Sequence, residues 1–204
     1  MKKSVIILFS LVFVSINLQS QTDFKPNGII TLVSDYGTKD FYVGAFKGSI
    51  LKVNPSAKII DITHEVTPFN VREAMFTLLL SAQEFPKGTI TIASVDPGVG
   101  TERRSIILET KDQRIFIAPD NGILTLVMNK HGVKQVREIT DRSLFRAEGV
   151  SRSFAGRDVF GPVAAHISNG FKIEECGSEI KDYEIIPVRS PEMKDKKIVG
   201  EVNY

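Results

Sequence analysis

The chain has 204 residues, 42% of them hydrophobic and 25% charged, with a formal net charge of +2. That is a globular composition, long enough for one substantial core. A single cysteine, Cys176, excludes a disulfide framework within the chain, three histidines give zinc little to bind, and the near-neutral charge leaves no basic footprint for nucleic acid.

Lys2 and Lys3 precede an apolar run over residues 5–14, and the small or polar Ser15, Asn17 and Ser20 follow it. This is the region order of a secretory signal peptide, so residues 1–20 are expected to direct export to the periplasm or beyond. The run is short for a bilayer, and no stable membrane span is expected. Loss of Lys2 and Lys3 would leave a formally neutral mature chain.

Residues 29–34 are a short β-rich apolar run ending in Asp35-Tyr36-Gly37, which predicts a buried strand feeding a loop. Residues 41–53 carry apolar side chains at helical spacing and stop at Asn54-Pro55. A second strand is predicted over 58–62. Asn70 and Glu73 have the order of a capping box, opening a helix over 71–84 that Pro86-Lys87-Gly88 breaks. A third strand over 89–95 delivers Asp96 into the next loop. Strands alternating with helices imply parallel βαβ units. The pattern then changes: 105–109 and 114–118 predict a hairpin, 122–130 and 159–168 predict helices, and 183–188 predicts an edge strand. Residues 189–197 suit a linker, and 198–204 start a strand with no evident partner, the opening of a further domain. The expected fold is α/β, a mixed, mainly parallel sheet with flanking helices over residues 28–190, followed in 191–204 by a linker and the start of another domain.

Ligands of parallel α/β sheets bind beyond the carboxyl ends of strands. Four loops qualify by position or by opening a helix: "SDYGTKDFY", "DPGVGTERR", "SFAGRDVFGP" and "APDNG". The glycines of the second do not make a dinucleotide fingerprint, because Arg103 stands where a third glycine belongs and a strand follows. No Gly-Lys-Ser/Thr makes a P-loop. Alone, Asp-Pro-Gly reads as a turn and Asp35 as a cap. Together the loops say more. Asp35 and Asp40 share one loop, as acids binding hydroxyl or ammonium groups would. Asp96 and Arg103 bracket another, where an Asp–Arg pair could hold and polarise a water without a metal.

The segments "SDYGTKDFYVGAFKG", "DITHEVTPFNVREA", "SVDPGVGTERR", "IAPDNGILT" and "GRDVFGPVAAH" occur in that order. With them the chain, from residue 29 to its end, resembles the S-adenosyl-L-methionine (SAM) hydroxide adenosyltransferases, the adenosine-forming SAM hydrolases related to fluorinases and chlorinases. The resemblance implies an α/β N-terminal domain, a smaller C-terminal β-barrel domain of which 198–204 would be the truncated start, and a homotrimer with active sites between subunits. It implies SAM as substrate and no cofactor. Asp35 matches the acid that holds the ribose hydroxyls, Asp40 the acid near the methionine ammonium, and Phe69 an aromatic against the ribose. Asp96 and Arg103 match two of three water-activating residues, and the halogenases replace that aspartate. The third position departs from the pattern: Phe-His-Gly-Arg-Asp in the family is Phe154-Ala155-Gly156-Arg157-Asp158 here. Either hydrolysis is weakened or lost, or Asp96 and Arg103 suffice to activate water. The expected activity is hydrolysis of SAM to adenosine and L-methionine; the alternative is a non-catalytic SAM or adenosine binder.

Overall fold

Strands buried at every residue, such as Ile90–Ser94 and Ile115–Pro119, are covered on both faces. The computed structural model describes residues 24–189 and 191–200, so the expected signal segment lies outside the described residues. In chain order come β1 (Ile29–Ser34), α1 (Tyr42–Val53), β2 (Lys58–Thr63), α2 (Val71–Ala82), β3 (Ile90–Ser94), β4 (Ser105–Thr110), β5 (Ile115–Pro119), α3 (Thr125–His131), β6 (Val133–Glu138), α4 (Gly161–Ser168), β7 (Glu192–Lys194) and β8 (Lys197–Val199). A π-helical turn, Gly156–Phe160, leads directly into α4.

Six strands form one sheet in the order β2-β1-β3-β5-β4-β6. The pairings β1–β2, β1–β3 and β3–β5 are parallel, while β4 runs antiparallel to both its neighbours. The period of two in each strand divides the core. Ile90 and Ile92 of β3 and Ile115 and Ile117 of β5 meet Phe46 and Ile50 of α1 and Val163 and Ile167 of α4 in one cluster. Ala93, Phe116 and Ala118 face the other way, toward Met75 and Leu78 of α2 and Val127 and Met128 of α3. No helix among the described residues is long and apolar enough to cross a membrane.

The mixed, mainly parallel sheet with flanking helices is as expected, and the Asn70 side chain caps α2 by accepting from Glu73 N at 3.1 Å. Three elements differ. Residues 133–138, unassigned from the sequence, are the sheet's edge strand β6. Residues 183–188 are not a strand: Glu184 N donates to Asp120 Oδ1 and Ile186 N to Thr125 Oγ1, so side chains take the place of a ladder. The predicted linker contains β7, which pairs with β8 in an antiparallel hairpin exposed along its length. The strand expected to lack a partner therefore finds one just before it.

Candidate active site

From β1 the chain passes to β2 on one side and then crosses back to β3 on the other. The loops leaving β1 and β3 diverge, and the crevice opens at the carboxyl ends of these two strands. In-register pairing sets Ser34 beside Ser94, so Asp35 and Asp96 emerge from neighbouring strand ends. Between the loops lies a cleft of about 500 Å³ whose lining includes Asp35, Tyr36, Phe69, Ser94, Asp96 and Ala155. Three of the four candidate loops meet there. The fourth does not: Asp120 of "APDNG" is turned aside, accepting from Arg104 Nη2 at 2.7 Å and Nε at 3.0 Å.

Asp35 and Phe69 come as a unit. Phe69 sits in the left-handed region at φ 65, a conformation an aromatic residue adopts only when its surroundings enforce it. The strain turns its backbone N–H onto Asp35 Oδ2 at 2.9 Å and leaves the ring 63% exposed over the cleft. Burial raises the Asp35 carboxyl above its ordinary range; the Phe69 N–H works against this and the nearby Asp96 charge adds to it.

Asp96 is fixed by its own loop. Its Oδ1 accepts from Gly98 N at 2.9 Å, the Asp-Pro-Gly turn, and lies 3.1 Å from Arg103 Nε. A Cβ at position 98 would collide with the Arg103 guanidinium, so only glycine lets the arginine fold across the turn. Arg103 backs Asp96 from an adjoining hollow of about 350 Å³, and Asp96 and Ala155 line both spaces. Asp40 is exposed at the start of α1, outside the cleft lining, and its Oδ1 accepts from Phe41 N at 2.6 Å. None of the three histidines lines the cleft. His64 is buried beneath it, with Nδ1 2.7 Å from Ser34 Oγ, and His166 packs against Phe171. Among the described residues no group of three or more His, Cys, Asp or Glu side chains is placed to hold a metal.

The far wall comes from the π-helical turn, a feature frequent at functional sites. It sets the Ala155 methyl in the cleft and turns Asp158 wholly inward. Burial alone would raise the Asp158 carboxyl. Arg157 and the Ser151 backbone and hydroxyl, at 2.6–2.9 Å, instead hold it below its usual range. Arg157 lines the cleft with its guanidinium carbon 4.7 Å from the Phe154 ring centre. Sequence reasoning assigned no role to Arg157, Asp158, Tyr36 or Ser94. An adjacent Arg-Asp in a glycine-bounded loop was the available signal for the first two.

A model of the SAM hydroxide adenosyltransferase N-terminal domain matches residues 30–177. The chain belongs to this family. A protein named (R)-S-adenosyl-L-methionine hydrolase from Methanocaldococcus jannaschii is 43% identical over 159 residues, covering 75% of this chain and 59% of that protein. One of the same name from Salinispora tropica is 35% identical, covering 81% and 63%. A fluorinase from Actinoplanes sp. is 30% identical, covering 81% and 62%. The crystal structure of a conserved Thermotoga maritima protein superposes with a TM-score of 0.77 at 47% identity, over 80% of this chain and 62% of that one. The chain thus spans about three fifths of the length of these relatives.

Proposed function

We propose that the cleft hydrolyses SAM to adenosine and L-methionine. Water attacks the ribose C5′ in line with the sulfonium; the O–C5′ bond forms, the C5′–S bond breaks, its electron pair stays on sulfur, and the water's proton passes to Asp96 and on to solvent. The sulfonium is already a good leaving group, so the protein's work is positioning and partial desolvation. Asp35 grips the two ribose hydroxyls, since a carboxylate accepts two hydrogen bonds side by side. Phe69 covers the sugar, Asp40 at the rim meets the methionine ammonium, and Arg103 favours charge developing on the nucleophile. The observation that carries the reading is the Asp96–Arg103 pair, 3.1 Å apart, at the strand end next to Asp35. The similarity to proteins named SAM hydrolases supports it.

The same reading includes export through residues 1–20, a C-terminal β-barrel domain beginning near residue 198, and a homotrimer in which that domain completes the neighbour's site. The exposed rings of Phe41 and Phe69, 61% and 63% accessible at the cleft, suit a covering subunit. Incubation of the protein with SAM, followed by chromatography, is expected to yield adenosine and methionine in equal amounts. Tight binding of SAM without product would instead make the protein a non-catalytic binder and overturn the hydrolase reading.

A further inference from the structure

Hydrolysis of SAM in this cleft, the reading on which the present inference rests, needs a group that donates a hydrogen bond to the attacking water while Asp96 accepts one. Asp96 Oδ1 is occupied by Gly98 N and Arg103 Nε. No hydrogen bond from the described residues reaches its other oxygen, which is left for a water. Position 155 offers only a methyl group. Of the other polar side chains lining the cleft, Ser151 and Arg157 are bonded to Asp158 and Ser153 is exposed, while the hydroxyls of Tyr36 and Ser94 come from the same two strand ends as Asp35 and Asp96.

Those hydroxyls are built into the site. Ser94 closes β3 two residues before Asp96, and Tyr36 follows Asp35 at the end of the neighbouring strand. Their oxygens are 2.6 Å apart, and both residues line the cleft beside Asp35 and Asp96. The Tyr36 ring is locked edge-on against Phe154 at 5.3 Å and Phe46 at 6.0 Å. A Cβ at residue 156 would collide with the Tyr36 hydroxyl and come within 3.0 Å of Ser94 Oγ, so glycine opens the π-helical turn where the two hydroxyls need room. Burial raises the phenol above its ordinary value, the Ser94 bond offsets part of that, and the Asp35 charge adds to it; the phenol keeps its proton. Two hydroxyls joined by one hydrogen bond use one of their two hydrogens, and the second remains to be donated.

We propose that the Tyr36–Ser94 hydroxyl pair is the donor that positions the nucleophilic water against Asp96. The water takes a hydrogen bond from the pair and gives one to the free oxygen of Asp96. As the O–C5′ bond forms and the electron pair of the C5′–S bond moves to sulfur, the proton goes to Asp96, and the pair keeps its own hydrogens. A fixed neutral donor aimed at the reacting oxygen helps most when that oxygen becomes hydroxide-like.

The test is a double-mutant cycle of Tyr36→Phe and Ser94→Ala in the full chain, following kcat and KM for SAM, adenosine affinity and thermal midpoint. Each substitution is expected to lower kcat roughly 10- to 100-fold, the usual worth of a hydrogen bond to a charged group. KM and adenosine affinity should move less than about threefold, and the double variant should be little worse than either single one, because the pair acts as a unit. An unchanged kcat in Tyr36→Phe, effects that multiply, or losses that track adenosine affinity or the midpoint would overturn the assignment. Wild-type protein that releases no adenosine sinks the hydrolase reading and this inference with it; active wild-type indifferent to Tyr36→Phe sinks the inference alone.

Discussion

The ribose-binding role proposed for Asp35 would set function against stability in one side chain. Its carboxyl is raised by burial and by the Asp96 charge, with the Phe69 N–H only partly compensating. Above that raised value the folded chain holds a charge that the unfolded chain carries more comfortably in water. As pH falls through it, the folded state takes up a proton first and stability recovers; below the ordinary carboxylate range of about 3.9 both states are protonated and the difference vanishes. Asp35→Asn keeps an acceptor for Phe69 N and removes the charge. It is therefore expected to raise the thermal midpoint at pH 7, with a gain that shrinks to nothing toward pH 3, while losing adenosine affinity. Calorimetric melts across that range check it; a lower midpoint at neutral pH would mean the charge is stabilising. The acids were legible from the sequence because Asp35 and Asp96 sit at the ends of evident strands. Tyr36 and Ser94 were not: an aromatic and a serine beside a strand end read equally well as packing, and only the register of β1 against β3 joins their hydroxyls.

Elements with their own local signals could be read directly. The Asn70 cap of α2, the hairpin β4–β5 and the buried runs of β1 and β3 each depend on residues a few positions apart. The misread elements depend on distant partners. β6 reads Val-Lys-Gln-Val-Arg-Glu, too polar to stand out, and becomes a strand because β4 offers an open edge. Residues 183–188 have the better strand composition, yet Asp120 and Thr125 hold their backbone by side chains. That staple predicts a phenotype. Asp120 is almost wholly buried and also accepts from Arg104, which in turn bonds Asp182 Oδ1 at 3.1 Å. Asp120→Ala should cost about 1.5–3 kcal/mol, the range for charge-assisted hydrogen bonds, and should open residues 182–188 to proteolysis. If urea melts and protease mapping match wild type, the segment is anchored by Ile186 packing against Gly122 and not by the carboxylate.

For the molecule as a whole, the order of strands decides where a ligand can enter. β1 is flanked by β2 and β3, and the helices that follow β1 and β2 pack on opposite faces of the sheet, α1 with α4 and α2 with α3. The chain leaving β1 goes to α1 and the chain leaving β3 goes to β4, so these loops part, and the residues proposed for the nucleoside end of the site line the cleft there, Phe69 reaching it from the loop after β2. Such a cleft is held by rigid strands and exists before the ligand arrives, so binding should stabilise the folded state by mass action without refolding anything. Adenosine at 100 times its Kd contributes about 2.7 kcal/mol, roughly 5–10 °C in midpoint for a domain of this size. The shift should grow with the logarithm of adenosine concentration. Asp35→Ala should cut it by about half or more at the same adenosine concentration, by losing about 1.5–3 kcal/mol of binding, and Asp120→Ala should retain it from a lower starting midpoint, because Asp120 stands outside the cleft. Differential scanning fluorimetry over an adenosine titration separates these outcomes. A shift undiminished by Asp35→Ala would place the nucleoside elsewhere on the molecule and remove the basis for reading the β1–β3 crevice as the active site.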